Sequence, residues 1–198
     1  MLRVAVLVSG GGTNLQALLD EKARGGLKNA EFALVVSSRP GVFALERAQK
    51  AGVPTAVIAR RAYASAADYD QALLKVLREN RIDAVVLAGF LSILGMPVIE
   101  AYPRRILNVH PSLIPSFCGE GYYGLRVHEC ALQKGVKVTG ATVHLVNEIP
   151  DGGEILLQKA VEVLPGDTPE ILQKRVMEQA EWILLPRALD MLCNGEID

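Results

Sequence analysis

The chain has 198 residues, half of which are apolar, and its formal net charge at pH 7 is −1. A chain of this length can bury one substantial hydrophobic core, so the sequence predicts a single domain over residues 1–198. It carries no basic tract or acidic tail, which disfavours nucleic acid and membrane surfaces as partners and favours small-molecule substrates.

Apolar runs and helical patterns alternate along the first half of the chain. Buried strands are predicted, in chain order, at Leu2–Val8, Phe32–Val36, Thr55–Ile58, Ala84–Leu87 and Ile106–Val109. Segments with helical spacing separate them, most clearly Asn14–Lys22 and Ala67–Asn80. This alternation predicts an α/β fold, a Rossmann-like parallel sheet with helices on both faces.

The pattern changes after Lys134. Two extended strands are predicted, Val136–Val146 and Gly152–Val163, and a turn joins them. A long amphipathic helix follows at Pro169–Cys193, with Thr168 or Asp167 as its N-cap. We therefore expect an antiparallel C-terminal strand pair and a long C-terminal helix.

Neither a membrane span nor an export signal is predicted. The uncharged stretch 84–99 is shorter than the roughly 20 residues that a bilayer requires, and glycine and proline interrupt it. We expect a buried strand followed by a loop there. The first apolar run leads into glycines rather than into a cleavage site, which favours a cytoplasmic protein.

The cysteines Cys118, Cys130 and Cys193 are odd in number and lack metal-ligand spacing. We therefore expect free thiols, with no disulfide framework and no metal site.

The first strand ends in a glycine-rich stretch, SGGGTNLQ at 9–16, that runs directly into a helix. Glycines let the backbone approach an anion closely, and the N–H groups of a helix N-terminus hold a phosphate. The sequence therefore predicts a phosphorylated ligand, with a tight turn and no ligand as the alternative. NAD is disfavoured because Leu15 occupies the third glycine position of the dinucleotide fingerprint, although Arg39 could meet the 2′-phosphate of NADP.

Two further stretches carry residue types suited to catalysis. NVHPS ends the fifth predicted strand and places Asn108 and His110 on one face, because residues two apart on a strand point the same way. EIPDGGEIL at 148–156 places Asp151 between the last two strands, where turn chemistry alone is the alternative explanation.

These motifs together resemble one family. SGGGTNLQ, AGF at 88–90, NVHPSLIP at 108–115 and DGG at 151–153 are similar to the folate-dependent phosphoribosylglycinamide formyltransferases, also called glycinamide ribonucleotide transformylases. The resemblance spans essentially the whole chain. It implies the formyltransferase fold, with a phosphate-binding half at 1–110 and a folate-binding and C-terminal half at 111–198, in a monomer or homodimer.

Two related groups fit this sequence less well. The family of methionyl-tRNA formyltransferase carries a further C-terminal domain, which we do not expect 198 residues to accommodate. Formyltetrahydrofolate deformylase carries an N-terminal regulatory domain, whereas the first predicted strand here begins at residue 2.

The resemblance implies that 10-formyltetrahydrofolate, as co-substrate, donates its formyl group to the amine of glycinamide ribonucleotide in purine biosynthesis. Direct attack of the amine on the formyl carbon creates a tetrahedral oxyanion. Asn108 is expected to donate a hydrogen bond to it, and a protonated His110 to stabilise it and act as general acid. Asp151 is expected to favour the imidazolium and to relay a proton.

The implied binding residues fall into two groups. The phosphate and ribose of the ribonucleotide are expected to contact Gly11, Gly12, Thr13, Asn14 and Glu181. Glu178 is the alternative to Glu181, because QAEWILLP is one residue longer here than in common members of the family. The folate is expected to contact Phe90, Leu91, Ser92, Ile93, Leu94, Ile149 and Pro150.

The chain departs from the family pattern at two places. Ser92 stands where many relatives have arginine, which leaves the contacts of the folate tail open. The stretch SFCGEGYYG at 116–124 is longer than the usual turn and forms either a flap or a surface loop. Arg60 and Arg61 follow the third predicted strand and are either a phosphate contact or a solvated basic pair.

Two other histidines are present, His128 in a helical segment after Gly124 and His144 in the predicted strand GATVHLV. We expect both to be surface or satisfied structural residues, with a place in the site as the less favoured alternative.

Two functions of other classes remain open from the sequence. An NADP-dependent oxidoreductase predicts a nicotinamide requirement. A non-catalytic nucleotide-binding module predicts that replacing Asn108 or His110 by alanine leaves its function intact.

Overall fold

A computed structural model of the protein describes residues 1–197, so the predicted domain end at Asp198 lies outside the described residues. Within this range one seven-stranded sheet has the order β3-β2-β1-β4-β5-β6-β7. The strands are β1 Leu2–Val8, β2 Ala30–Ser37, β3 Thr55–Val57, β4 Ala84–Leu87, β5 Ile106–His110, β6 Val138–Leu145 and β7 Ile155–Glu162. The first five pair in parallel, whereas β6 is antiparallel to β5 and β7 is antiparallel to β6. The predicted sheet and its antiparallel C-terminal pair are confirmed.

Helices pack on both faces of this sheet, as predicted. They are α1 Thr13–Ala23, α2 Phe43–Lys50, α3 Ala66–Glu79, α4 Met96–Ala101, α5 Leu125–Lys134, α6 Pro169–Val176 and α7 Trp182–Cys193. Alternation along β1 divides the core: Val4 and Val6 pack with residues of α1 and α7, whereas Ala5 and Leu7 pack with residues of α3. None of the helices in residues 1–197 is both long enough and apolar enough to cross a membrane.

One long C-terminal helix is predicted at Pro169–Cys193, and the structure interrupts its regular α-helical geometry in the middle. A π-helical segment, Met177–Glu181, lies between α6 and α7. A π turn accommodates one additional residue without ending the helix, which fits the extra residue noted in QAEWILLP. Thr168 is the N-cap, since its side chain accepts a hydrogen bond from the backbone N–H of Ile171 at 3.3 Å.

The sequence analysis predicts a strand followed by a loop within 84–99. The last part of this predicted loop is wrong. Residues 96–101 form α4, with Pro97 in its first turn. Proline is favoured there because the first N–H groups of a helix have no intrahelical partner. The loop after β4 is therefore short.

Parallel pairing brings the carboxyl ends of β1, β4 and β5 to the same edge of the sheet. The glycine-rich stretch, the segment after β4 and the NVHPS stretch begin at these ends. Ligands of open α/β sheets bind at this edge, so these three predicted site segments meet where a site is expected.

Gly12 is required for the packing of the glycine-rich stretch. Its φ is 73°, in the left-handed region, and a Cβ atom there would lie 2.6 Å from the Cβ of Ala44 and 2.9 Å from its Cα. A side chain at this position would therefore strain the backbone and push α2 away from the start of α1.

We predict that Gly12→Ala lowers the free energy of unfolding by about 1 to 3 kcal/mol, measured by urea denaturation. Gly11→Ala is the matched control, because no atom lies within 4 Å of a Cβ built at Gly11. Equal stability of the two variants would contradict this explanation of Gly12.

Candidate active site

Asp151 is the centre of a cluster at the carboxyl edge of the sheet. Its Oδ1 accepts a hydrogen bond from Nδ2 of Asn108 at 3.3 Å, and its Oδ2 accepts one from the backbone N–H of Gly119 at 2.8 Å. Nδ1 of His110 lies 3.5 Å from Oδ2, and Nε2 of His144 lies 3.5 Å from Oδ1. The structure thus brings together Asn108, His110 and Asp151, which the sequence predicted as catalytic residues.

The glycines after Asp151 explain how its loop reaches the cluster. Asp151 has a φ of 55°, a left-handed conformation that aspartate tolerates better than most residues. A Cβ atom at Gly153 would lie 1.7 Å from the carbonyl oxygen of Leu145, so only glycine fits against the end of β6. The DGG motif therefore has a structural role, to fold this loop back over β6 and place the carboxylate.

Hydrogen bonds fix the orientation of both imidazole rings. Nε2 of His110 lies 2.8 Å from the carbonyl oxygen of Phe117, and Nδ1 of His144 lies 2.8 Å from that of Leu145. A carbonyl oxygen only accepts, so each of these nitrogens carries a proton. The other nitrogen of each ring faces Asp151, and Nε2 of His144 can accept from Nδ2 of Asn108 at 3.1 Å.

Burial of His110 opposes the protonated state that the sequence analysis predicts for it. Burial lowers the pKa of His110 below its ordinary value of 6.5, and the raising effects of Asp151 and of the Phe117 carbonyl do not compensate. The lowered pKa disfavours the imidazolium in the resting site at pH 7, which differs from the protonated His110 that the sequence analysis predicts. Burial alone would raise the pKa of Asp151, but its contacts with the imidazoles of His144 and His110 and the hydrogen bond from the Gly119 N–H together hold it below its ordinary value of 3.8.

A cleft of about 130 Å³ opens beside this cluster. Asn108, His144 and Asp151 lie in its wall. Most of the predicted folate residues also line it: Phe90, Ser92, Ile93, Leu94, Ile149 and Pro150. The segments after β4 and after β6 are thus brought together as predicted, while His110 is buried next to Asp151 and does not line the cleft.

Leu91 is the predicted folate residue that the structure places elsewhere. Its side chain is 47% exposed and lines a second pocket, together with Arg60 and Arg61. Its backbone N–H donates to Oγ of Ser9 at 2.9 Å. Arg60 is half-buried and Arg61 is exposed, and both line this second pocket, so the two alternatives for this pair stay predictions.

Arg47 on α2 is the arginine that holds the glycine-rich stretch, and the sequence analysis missed it. Its Nε donates to the carbonyl oxygen of Gly11 at 2.8 Å, and its Nη1 donates to Oε1 of Gln16 at 2.9 Å. Nothing in the sequence marks this arginine, because it lies in an ordinary amphipathic helix. This contact orients the Gly11 carbonyl toward α2. The N-terminus of α1 lies beside it, and the first N–H groups of a helix can donate hydrogen bonds to an anion.

Glu181, rather than Glu178, lies at the start of α1. Its Oε2 accepts a hydrogen bond from Nδ2 of Asn14 at 2.7 Å, and its side chain is buried. Burial raises the pKa of Glu181 to about 7, and the bond from Asn14 opposes this rise. Glu178 is exposed and lies 3.8 Å from Lys174 on the outer face of the helix. The π turn therefore carries Glu181 to the side that faces the glycine-rich stretch.

The expectation for the two remaining histidines is wrong for both. His144 lines the cleft, because it pairs with Asn108 across β5 and β6. His128 is fully buried on α5, and neither ring nitrogen has a hydrogen-bond partner among residues 1–197. It is therefore neither a surface residue nor a satisfied one.

The stretch 116–124 contacts two residues of the catalytic cluster. Phe117 supplies the carbonyl oxygen that fixes His110, and Gly119 supplies an N–H to Asp151. The rings of Phe117 and Tyr122 lie 6.4 Å apart and pack the stretch on itself. The stretch therefore helps to orient His110 and Asp151, and its role as a flap or as a surface loop stays a prediction.

Comparison with known proteins places the chain among formyl transferases. The pattern of the family described as "Formyl transferase" matches residues 2–189. The chain is 36% identical to a phosphoribosylglycinamide formyltransferase of Haemophilus influenzae, over 100% of this chain and 90% of that protein. It is 45% identical to the human trifunctional purine biosynthetic protein adenosine-3, over 98% of this chain but only 19% of that protein.

Solved structures agree with this placement. The fold matches a crystal structure of glycinamide ribonucleotide transformylase 1 from Symbiobacterium toebii with a TM-score of 0.91 and 42% identity, over 98% of this chain and 89% of that one. It matches phosphoribosylglycinamide formyltransferase from Bacillus halodurans with a TM-score of 0.90 and 36% identity, over 98% and 96% of the two chains. The chain spans 14% of the corresponding trifunctional protein of Drosophila melanogaster, a much longer relative.

We predict that His128 makes the fold sensitive to acid. Burial lowers the pKa of His128 to about 4, whereas it is 6.5 in the unfolded chain, so the unfolded chain binds the additional proton between these values. Stability is therefore lost as the pH falls, by about 2 kcal/mol between pH 7 and pH 5 for this group. Urea denaturation of His128→Leu at both pH values should show a loss smaller by that amount, and an unchanged pH dependence would contradict the prediction.

Proposed function

The chain belongs to the formyl transferase family, among the phosphoribosylglycinamide formyltransferases, and on that premise we propose that it transfers the formyl group of 10-formyltetrahydrofolate to the amine of glycinamide ribonucleotide. The observation that carries the proposal is the cluster in the wall of the cleft, where an amide donor and a carboxylate lie within hydrogen-bond distance of each other. Formyl transfer to an amine requires both, a donor for an oxyanion and an acceptor for a proton.

Asn108 stabilises the oxyanion in this mechanism. Attack of the neutral amine on the formyl carbon moves an electron pair onto the formyl oxygen and leaves a positive charge on the incoming nitrogen. Nδ2 of Asn108 is held by a bond of 3.1 Å to His144 and by one of 3.3 Å to Asp151, the second of which is longer than usual. The long bond is given up in favour of a shorter one to the oxyanion, whose charge strengthens the new hydrogen bond.

Asp151 and His110 move the proton. Asp151 is ionised at neutral pH and lines the cleft, so it can accept a proton from the ammonium of the intermediate. Nδ1 of the neutral His110 faces the same carboxylate at 3.5 Å and shares that proton once it arrives. The proton then passes to the leaving nitrogen of the folate, the bond between that nitrogen and the formyl carbon breaks, and the oxyanion collapses to a formamide.

The ribonucleotide occupies the edge of the sheet beside α1. Its phosphate accepts from the exposed backbone N–H groups at the start of α1, from Gly11 to Asn14, supported by the Arg47 contact to Gly11. Glu181 holds the ribose hydroxyl groups, with Asn14 fixing its carboxyl group. The folate ring enters the cleft between the segments after β4 and after β6.

The test mixes the purified protein with 10-formyltetrahydrofolate and follows the deformylated folate by absorbance, with and without glycinamide ribonucleotide. We expect release that depends on the ribonucleotide. Asn108→Ala should lower kcat by about 100- to 1,000-fold, because it removes an oxyanion donor. Asn194→Ala is the matched control, an exposed asparagine outside the cleft, and should retain full activity.

Other outcomes would overturn the proposal. Release without the ribonucleotide would indicate a hydrolase, and no release under either condition would show that the folate is not a donor. Equal kcat values for Asn108→Ala and Asn194→Ala, with both variants folded by circular dichroism, would remove Asn108 from the mechanism.

A further inference from the structure

The π turn at Met177–Glu181 contacts the start of α1 with both of its end residues. Sδ of Met177 accepts a hydrogen bond from Oγ1 of Thr13 at 3.7 Å, and Oε2 of Glu181 accepts one from Nδ2 of Asn14 at 2.7 Å. Thr13 and Asn14 are the first two residues of α1. One turn of the C-terminal helix therefore holds two consecutive side chains at the N-terminus of α1.

This π turn does not interrupt the packing of the C-terminal helix. Val176 before the turn and Ala180 within it are both fully buried in the core. Turns of this kind occur mostly inside α-helices, and frequently at functional sites. The helix thus keeps its apolar face while it accommodates a wider turn at the place where it meets α1.

The contact between Met177 and Thr13 joins a hydroxyl donor to a weak acceptor. The sulfur of a thioether accepts hydrogen bonds only weakly, whereas a phosphate oxygen is a charged acceptor that forms shorter and stronger ones. Both residues are half-buried, so a ligand at the start of α1 can reach them. The Thr13 hydroxyl can therefore turn from the sulfur to a phosphate by rotation about its Cβ–Oγ1 bond.

The Thr13 hydroxyl lies beside the backbone donors of the helix N-terminus. The N-cap residue of α1 is Gly12, which forms no side-chain hydrogen bond to the helix. The first N–H groups of a helix have no intrahelical partner and suit an anion. A hydroxyl that is already held in place adds a donor to this set at a lower cost in side-chain ordering.

We propose that Met177 is a positioning residue for the ribonucleotide, whose sulfur orients the Thr13 hydroxyl in the free protein and releases it to the phosphate on binding. The inference rests on the proposed function, because it takes the start of α1 as the phosphate site. Methionine suits this role, since its unbranched side chain and polarizable sulfur adapt to a partner. Leucine is similar in volume but cannot accept a hydrogen bond.

The first experiment measures kcat and the KM of both substrates in a double-mutant cycle. Met177→Leu should raise the KM of the ribonucleotide about threefold, because one weak hydrogen bond is lost, with kcat and the KM of the donor unchanged. Thr13→Val should raise it about tenfold, because a donor to a charged group is lost. The double variant should match Thr13→Val, since Met177 acts through that hydroxyl.

Met191→Leu is the matched control for Met177→Leu. Met191 is also a half-buried methionine, but it lies near the C-terminal end of α7. Its substitution should leave the KM of the ribonucleotide unchanged.

The second experiment follows the methionine methyl signals by NMR and needs no turnover. The chain has four methionines, so these signals can be assigned with single leucine variants. The probe is ribose 5-phosphate, which carries the phosphate and the sugar alone. At saturation it should shift the methyl signal of Met177, because the Thr13 hydroxyl leaves the sulfur, and Thr13→Val should lose this shift.

The possible failures are distinguishable. No formyl transfer by the wild type would overturn the proposed function, and the NMR titration then decides the role of Met177 by itself. Transfer with an unchanged ribonucleotide KM in Met177→Leu would leave that function standing and overturn the positioning role. Additive effects of the two substitutions on KM would overturn it too, because Met177 would then act other than through Thr13.

The NMR titration has its own contradicting outcomes. A Met177 signal that ribose 5-phosphate does not move would overturn the positioning role, whether the probe fails to bind or binds elsewhere. A shift that Thr13→Val retains would do the same. If Met177→Leu does not fold, the comparison of wild type with Thr13→Val still tests the proposal, since both keep Met177.

Discussion

The carboxylate of Asp151 is the group on which the arrangement of the site depends. It contacts Asn108 and His110 from β5, His144 from β6 and Gly119 from the stretch 116–124, so one side chain joins three separate parts of the chain. Burial of a carboxylate opposes ionisation, and only several donors acting together reverse that effect here. The same bonds that keep Asp151 ionised therefore hold the catalytic residues in place.

The backbone geometry of the β6–β7 loop also helps to place that carboxylate. The left-handed conformation of Asp151 and the close contact of Gly153 with the Leu145 carbonyl allow the β6–β7 loop to fold back over the sheet edge. Gly12 acts similarly at the start of α1, where α2 approaches too closely for a side chain. The glycines of both motifs thus allow close packing of the chain. The proposed ligand contacts of these two segments depend on that packing.

The parts of the fold that could be predicted are those with local signals. Buried parallel strands are recognisable in the sequence as continuous apolar runs. Asn108 and His110 are two residues apart, so they lie on one face of β5 regardless of which strand pairs with it. His144 was missed because its place in the site depends on the register between β5 and β6, which pairs it with Asn108. Arg47 was missed because its contact with Gly11 joins segments that are distant in sequence. The lowered pKa of His110 was not predicted, because burial, unlike charge, cannot be read from a motif.

The most direct test of this account is the titration of His110 by NMR of the imidazole nitrogens, in the wild type and in Asp151→Asn. The signals of the three histidines can be assigned with His110→Gln and His128→Leu. The account predicts that His110 titrates below 6.5 in the wild type, because burial dominates, and lower still in Asp151→Asn, because the variant loses the carboxylate that raises its pKa. A value above 6.5, or one that Asp151→Asn leaves unchanged, would contradict the central role of Asp151.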